Sequence, residues 1–295
     1  MKDEELLEKT IDNPDFLCES GSHLYGMSTP ISDYDLRGFT LPPFPYLVGI
    51  KEFKCREMDE DTKIYSAKHF LKLVIKGDPQ STEGLYCPKD KIIKCSDIGK
   101  EILSLKEYLV SNVIYGRIMG YSTGEWRKAM AVKPVSTKHN KTKKEVINDI
   151  RSYWKPNKEN MDSIIKILDS ADEKKFVSSV SGLGKKRKAD IEKYGFCRKS
   201  AAHSIRLVKQ LTELMETGSM TFPNSNKDLL LDIRNGKYSK EELEDIHNEV
   251  VSQAEDMRSK SVLRDKPDEK KVWNKYLELV ARAINTDDKF QQLLK

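Results

Sequence analysis

The stretch that decides the fold is GSHLYGMSTPISDYDLRGF, residues 21–39. It places a glycine-serine pair ahead of the acidic run that ends at Arg37 and Gly38. The segments at 16–20 and 33–40 are short strand candidates, since apolar residues recur in both and a glycine follows the first. A turn after a strand offers backbone N–H groups, and glycine lets an anion approach them closely. The stretch therefore predicts a sheet with an anion-binding turn at its edge.

Two carboxylates and an arginine follow the turn at a spacing of two residues. On a strand, Asp33, Asp35 and Arg37 would point to the same face, and Arg37 could contact a phosphate directly. Neighbouring carboxylates repel each other unless a cation lies between them, and Mg²⁺ accepts carboxylate and phosphate oxygens together. A third acid, Asp61, opens the next strand candidate at 61–65. Three carboxylates on adjacent strands can hold two metal ions for an in-line displacement at phosphorus.

Three other interpretations of the D-x-D run are weaker. An EF-hand loop needs an oxygen ligand at its fifth position and Glu at its twelfth, where this chain has Arg37 and Phe44. A sugar-nucleotide glycosyltransferase also uses D-x-D with a metal, but a large alternating β/α domain is not seen before residue 100. An exposed acidic turn is the commonest source of an isolated D-x-D. The preceding Gly-Ser and the following Arg-Gly argue against that interpretation.

Charge is unevenly distributed along the 295 residues. Residues 1–150 carry 23 basic and 23 acidic side chains, so the net charge of +5 comes from the remainder. The segment at 174–209 contains eleven Lys and Arg but only two acids, which suits contact with a polyanion such as RNA. An ordinary solvated helix surface is the alternative.

Composition excludes several protein classes. No apolar run reaches the roughly 20 residues of a membrane helix, so no membrane partner is predicted. The acidic start lacks the pattern of a secretory signal. Five cysteines without a C-x-x-C pair suit a reducing cytoplasm better than a disulfide framework.

The hydrophobic period changes from strand-like to helical along the chain. The proline-rich segment at 41–46 is predicted to be a loop. Helices are predicted from Ser66 to about Gly77 and at 101–119, 199–215, 240–257 and 271–294. The polar, basic segment at 131–144 is the best linker candidate. We therefore predict an α+β fold with a small mixed-sheet domain at 1–135 and a mainly helical domain at 136–295.

The helix predicted near residue 200 has two contrasting faces. At 100° per residue, Lys199, His203, Arg206 and Gln210 fall within roughly 60° of one another. Apolar residues of the same helix fall on the opposite side. The polar stripe is either an ordinary solvent face or the wall of a cleft that binds phosphates.

These motifs together resemble a known family. The Gly-Ser, D-x-D-x-R and later single acid are similar to the signature of the RNA-repair-pathway (RlaP-like) nucleotidyltransferases of the DNA polymerase beta superfamily. Asp78 departs from the asparagine expected in that family. The other segments that resemble family motifs are the strand and helix at 61–73, Gly77-Asp78-Pro79 with Glu83-Gly84-Leu85, and Tyr194-Gly195-Phe196 with Lys199, Ala202, His203, Arg206 and Leu207.

The resemblance implies a polymerase-beta-type domain that moves an NMP from an NTP, first of all ATP, to an acceptor hydroxyl and releases pyrophosphate. In that case Gly21 and Ser22 bind the triphosphate. Asp33 and Asp35 bind Mg²⁺ or Mn²⁺, and Asp61 completes the metal site and activates the hydroxyl. The resemblance also implies nucleotide contacts for Arg37, Lys199, His203 and Arg206. Large tailed phages carry such proteins, so a phage source and a location in the host cytoplasm fit the resemblance.

Three hypotheses about function stay open on the sequence alone. The first has an RNA end as acceptor and predicts salt-sensitive RNA binding by the basic segment at 174–209. The second has a protein side chain as acceptor, as in toxin–antitoxin nucleotidyltransferases. The third is a non-catalytic nucleotide or RNA sensor, which is disfavoured because the glycine-serine pair and all three acids are present. The pattern does not indicate an oligomeric state.

Overall fold

The computed structural model describes residues 3–30, 32–59, 61–130 and 185–286, together with residues 147, 161–163, 165 and 166. These residues form an α+β fold, with a five-stranded sheet in the N-terminal part and helices in the rest. The elements up to the last strand are α1 (Asp3–Asp12), β1 (Phe16–Glu19), α2 (Gly21–Leu24), β2 (Leu36–Thr40), α3 (Phe44–Leu47), β3 (Cys55–Glu57), β4 (Thr62–Ser66), α4 (Ala67–Ile75), α5 (Pro79–Gly84) and β5 (Ile92–Cys95). The later helices are α6 (Asp97–Leu103), α7 (Lys106–Leu109), α8 (Val113–Ala129), α9 (Lys185–Tyr194), α10 (Arg198–Thr217), α11 (Lys227–Asn235), α12 (Lys240–Arg258) and α13 (Glu269–Thr286).

The sheet is mixed, as predicted, and its strand order is β3-β4-β2-β1-β5. Strands β2 and β4 pair in parallel with Leu36 opposite Thr62, while the other pairs are antiparallel. Because β2 and β4 begin at the same edge, the residues that precede them arrive side by side. The N–H of Leu36 donates to the carbonyl of Asp61 at 2.9 Å. This parallel pair brings the D-x-D run and the third acid together.

Aromatic packing fixes the helices against one face of the sheet. The rings of Phe16 and Phe39 lie 5.2 Å apart, and those of Phe39 and Phe70 lie 4.5 Å apart. Helix α4 begins where the Ser66 hydroxyl accepts a hydrogen bond from the N–H of His69. The apolar face of α4, which includes Phe70 and Leu71, is buried.

Helix α10 lies at the centre of the helical region and packs against α8, α11 and α12. One hydrophobic cluster contains Phe39 of the sheet, Leu211 of α10 and Leu243 of α12. The core is therefore continuous between the two predicted domains. The boundary predicted at 135/136 and the linker predicted at 131–144 lie outside the described residues, so the division into domains stays a prediction.

The strands predicted from the sequence are confirmed with small shifts in their bounds. The strand predicted at 33–40 begins at Leu36, so Asp33 and Asp35 precede β2. The strand predicted at 61–65 begins at Thr62 and follows Asp61. The helices predicted after Ser66 and around residues 200, 250 and 280 are also confirmed, and the residues of the last one beyond 286 lie outside the described part.

Two predictions about local structure are wrong. The segment at 41–46 contains the start of α3, because a proline in the first helical turn loses no hydrogen bond that the helix would otherwise make. The single helix predicted at 101–119 is three helices, α6 to α8. The backbone is extended at Val110, and the N–H of Asn112 donates to the carbonyl of Arg264 at 2.9 Å. A contact with a distant segment thus interrupts the helical period.

Among the described helices, none has both the length and the apolar character that a membrane crossing requires.

Candidate active site

Residues 20–27 form a tight turn around the one-turn helix α2, and we call them the glycine-serine turn. Gly21 has φ +61°, a left-handed conformation that favours glycine. The N–H of Tyr25 donates to the carbonyl of Gly21 at 3.1 Å, and the N–H of Met27 donates to that of Ser22 at 2.9 Å. The N–H of Ser20 donates to the carbonyl of Asp35 at 2.8 Å. This last bond ties the start of the turn to the D-x-D run.

The Asp35 carboxylate packs directly on the Cα of Gly21. A Cβ at residue 21 would lie 2.9 Å from Cγ of Asp35 and would overlap its Oδ2. An ordinary carbon–carbon contact is 3.4–4 Å, so a side chain at this position would displace the carboxylate. Glycine is therefore required here both for its φ angle and for the close approach of an anionic group.

Asp35 lies at the centre of a group of charged residues. Its burial raises the pKa of the carboxyl, and repulsion from Asp61 and Asp33 raises this pKa further. Attraction by Arg37 and Lys199 acts in the opposite direction. Two predicted carboxylates, the arginine of the D-x-D-x-R run and the lysine of the α10 stripe therefore all act electrostatically on Asp35.

The donor chemistry of these carboxylates fits a divalent cation, because Mg²⁺ and Mn²⁺ prefer oxygen ligands. A bound dication would also convert the repulsion among Asp33, Asp35 and Asp61 into attraction. In the part of the chain that the structure describes, no group of three or more His, Cys, Asp or Glu side chains is arranged as a ready set of metal ligands. Metal binding by the three acids stays a prediction.

A cationic and aromatic strip continues from the carboxylates along the sheet, and we call Arg37, Lys63 and Tyr65 the basic strip. Lys63 pairs with Arg37 across β2 and β4, and alternation places Asp61, Lys63 and Tyr65 on one face. The Nζ of Lys63 binds Glu57 at 2.7 Å and lies 5.7 Å from the centre of the Tyr65 ring. All three residues of the strip keep partial solvent access. The strip therefore offers positive charge and a ring beside the acids.

The polar stripe of α10 is divided between surface and interior. Lys199 is exposed in the first turn, where it lies close enough to Asp35 to lower its pKa. Arg206 and Gln210 are only 1% and 2% exposed. Because α10 is covered on nearly all sides, its polar face meets the glycine-serine turn and α5 instead of solvent. The prediction that the whole stripe lines an open cleft therefore applies in this structure only to its first turn.

Arg206 belongs to a buried network with Tyr25, Glu83 and Gln210. Its Nη1 donates to Oε1 of Glu83 at 2.6 Å and also bonds Gln210, and its guanidinium carbon lies 3.7 Å from the Tyr25 ring centre. The Tyr25 hydroxyl donates to Oε2 of Glu83 at 2.6 Å. The structure thus places Arg206 behind the glycine-serine turn. A direct contact with nucleotide, the role that the resemblance implied, would require this network to open.

His203 is neutral at pH 7 and adds no charge to the site. Burial lowers its pKa to about 4, and the nearby Arg206 contributes to this shift. Its Nδ1 lies 3.3 Å from Nη2 of Arg206. The nucleotide contact implied for His203 stays a prediction, and a neutral ring can make one only through a hydrogen bond.

Residues that the sequence patterns did not single out enclose the glycine-serine turn from the C-terminal side. The N–H of Asn224 donates to the carbonyl of Tyr25 at 3.1 Å. Nη1 of Arg234 donates to the carbonyl of Met27 at 2.7 Å. Arg198 in turn donates to the carbonyl of Arg234 at 2.8 Å. Of these residues only Arg198 carried a signal in the sequence, as one of the basic residues of the segment at 174–209.

Comparison with known proteins identifies the family to which the chain belongs. Residues 15–278 match the RlaP family, described as the RNA repair pathway DNA polymerase beta family. The chain is also similar to the uncharacterized 38.9 kDa protein in the nrdC-mobD intergenic region of Enterobacteria phage T4. The two are 24% identical over 319 residues, which cover 88% of this chain and 94% of that protein. No solved structure matches the chain. The resemblance seen in residues 21–39 is thereby confirmed, and the chain belongs to the RlaP family of the DNA polymerase beta superfamily.

Proposed function

We propose that this protein is a metal-dependent nucleotidyltransferase that moves an NMP from an NTP to an acceptor hydroxyl and releases pyrophosphate. Membership of the DNA polymerase beta superfamily supports the reaction class. The observation that carries the proposal is the packing of the Asp35 carboxylate on the bare Cα of Gly21. This contact joins an anion-binding turn to a group of carboxylates. The transfer of a phosphoryl group requires both, the turn for the phosphates and the carboxylates for the metal.

In this proposal each residue of the site has its own role. Backbone N–H groups of Gly21 and Ser22 bind the triphosphate of the NTP, with ATP the first expectation. Asp33, Asp35 and Asp61 hold Mg²⁺ or Mn²⁺, which supplies neutralisation of phosphate charge when bound. Asp61 would accept the proton of the attacking hydroxyl.

Lys199 and the residues next to the carboxylates would position the nucleotide. The exposed ammonium of Lys199, near Asp35, offers positive charge to a phosphate oxygen. Arg37 continues this charge on the other side of Asp35. Catalysis in this arrangement consists mainly of orientation and charge stabilisation.

An RNA end is the acceptor that the surface favours. The basic strip begins beside Asp61, and interleaved cationic and aromatic side chains suit a single-stranded polynucleotide. The family description names RNA repair. A phage relative also supports a role in the host cytoplasm. The basic segment at 174–209 is described only from residue 185 onward, so its part in RNA binding stays a prediction.

Transfer of label tests the proposal. The purified protein is incubated with Mg²⁺ or Mn²⁺, each α-labelled NTP, RNA oligonucleotides and cell protein. The variant Asp33→Ala/Asp35→Ala is compared with Asp245→Ala/Asp256→Ala, which changes two exposed acids of α12. We expect label on RNA ends and released pyrophosphate, both lost only in the first variant. Label on protein would revise the acceptor, and no transfer by folded protein with either metal would contradict the reaction.

A further inference from the structure

We propose that Tyr25, Glu83 and Arg206 are positioning residues, through which helix α10 sets the geometry of the glycine-serine turn and thereby the affinity for NTP. This inference rests on the proposed function, since it assigns the three residues an effect on nucleotide binding. None of them needs to contact the nucleotide. Their exposed fractions are 6%, 2% and 1%, so all three lie behind the surface of the turn.

The three residues connect elements that are far apart in the sequence. Tyr25 directly follows α2, Glu83 lies in α5 and Arg206 lies in α10. Each oxygen of the Glu83 carboxylate accepts one hydrogen bond of 2.6 Å, from the Tyr25 hydroxyl and from Arg206 respectively. The guanidinium also covers the Tyr25 ring at 3.7 Å. Tyr25 is therefore held at its hydroxyl by α5 and at its ring face by α10.

A buried ion pair is a poor way to gain stability, because the cost of removing two charges from water offsets most of their attraction. Apolar side chains of similar size would fill the same space at comparable stability. What the charged pair adds is direction, since charge-assisted hydrogen bonds are short and angle-dependent. The network is thus suited to fixing the orientation of Tyr25 more than to stabilising the fold.

Tyr25 transmits this orientation to the nucleotide site through the backbone. Its N–H donates to the carbonyl of Gly21 at 3.1 Å, and Gly21 supports the Asp35 carboxylate. A continuous path of direct contacts therefore leads from Arg206 to Asp35.

Two variants weaken the network while its charges either stay paired or are removed together. Tyr25→Phe deletes one hydroxyl, and Glu83→Gln/Arg206→Met neutralises both charges together. The matched control is Ser122→Ala/Ser204→Ala, which deletes a buried Oγ–Oγ contact of 2.8 Å between α8 and α10. Ser204 lies on the same helix as Arg206, about 160° away around the helix axis. Urea unfolding establishes that all variants are folded and how their stabilities compare.

The readout is the Kd of a fluorescent, non-hydrolysable NTP, followed by KM and kcat of the transfer. We expect both network variants to bind NTP about tenfold more weakly, with KM rising more than kcat falls, while the serine control binds like the wild type. Equal affinities for Tyr25→Phe and the control would overturn the inference. The binding assay does not depend on transfer. A wild type that binds NTP without transferring it would contradict the proposed function. The positioning inference would still be tested, by the affinities of the variants.

Discussion

Replacing Gly21 by alanine should remove most of the transfer activity while lowering the stability of the fold only modestly. The added Cβ would lie 2.9 Å from Cγ of Asp35 and overlap Oδ2, so the carboxylate must retreat. Reaching the 3.4 Å of ordinary contact moves the carboxyl carbon by at least 0.5 Å, since 3.4 minus 2.9 is 0.5, and moves Oδ2 further. A carboxylate is the end of a flexible side chain, so this movement costs little stability. It does displace a group whose position the reaction depends on.

The magnitude of each effect follows from the geometry. The left-handed conformation of residue 21 costs a non-glycine residue about 1–2 kcal/mol of stability. A misplacement on the order of 1 Å in a phosphoryl-transfer site lowers the rate by about 100-fold. Gly21→Ala is therefore expected to fold with a modest loss of stability and to lose nearly all transfer activity.

Gly49→Ala is the control that separates the effect of the displaced carboxylate from the backbone cost of a left-handed alanine. Gly49 has φ +82°, and a Cβ there would have no heavy atom within 4 Å. The backbone cost is therefore similar, but no functional group has to move. Urea unfolding, Mn²⁺ binding and the rate of label transfer should be measured on both variants. The reasoning is refuted if both lose the same activity, or if Gly21→Ala is much less stable than Gly49→Ala.

Three further predictions concern charge. Because the pKa of His203 is lowered to about 4, the unfolded chain binds a proton near pH 5 that the folded protein does not. This difference should lower the free energy of unfolding by about 2 kcal/mol from pH 7 to pH 5. Urea titrations at both pH values should show that His203→Asn loses this part of the pH dependence. Lys199 lowers the pKa of Asp35, so in Lys199→Ala the acid limb of the pH–rate profile should move to higher pH. Lys63→Ser/Tyr65→Ser should weaken RNA binding and reduce its salt dependence while NTP affinity is retained, measured by fluorescence anisotropy at several salt concentrations.

Each of these has a contradicting outcome. An unchanged pH dependence of stability in His203→Asn would show that the ring takes up its proton over the same pH range in the folded and unfolded states. An acid limb that stays in place in Lys199→Ala would remove Lys199 from the neighbourhood of the titrating carboxylate. For the basic strip the control is Lys260→Ser, which removes the same single positive charge at an exposed position far along the chain. RNA affinity lowered equally in both variants would indicate only a loss of net charge.

The sequence allowed the local parts of the site to be predicted, because they depend on spacing within a few residues. The glycine-serine pair and the D-x-D run lie on either side of one short connection, and the family resemblance pointed to the same residues. What spacing could not predict is which surfaces become covered. Arg206 and Gln210 do share one face of a helix, but that face is enclosed by Glu83 and Tyr25.

The missed elements have similar physical causes. Strand β3 has three residues, all exposed, so no alternating pattern marks it. The break between α7 and α8 depends on Arg264, whose position relative to Asn112 no local pattern encodes. Helix α3 forms within a proline-rich segment because the prolines lie at its N-terminal end, where they are tolerated. In each case the local sequence pattern was too short to mark the element, or contacts elsewhere in the fold outweighed it.

The partners of the glycine-serine turn have a consequence for the order of events during synthesis. Glu83 receives its counter-ion from a residue 123 positions later, and the carbonyl of Met27 receives its donor from one 207 positions later. A nascent chain that has emerged only as far as α8 therefore carries the acids and the turn, yet has neither of these partners. Both contacts can form only after Arg206 and Arg234 have left the ribosome. The turn is therefore made early in translation but gains these two contacts late, after most of the chain has been synthesised.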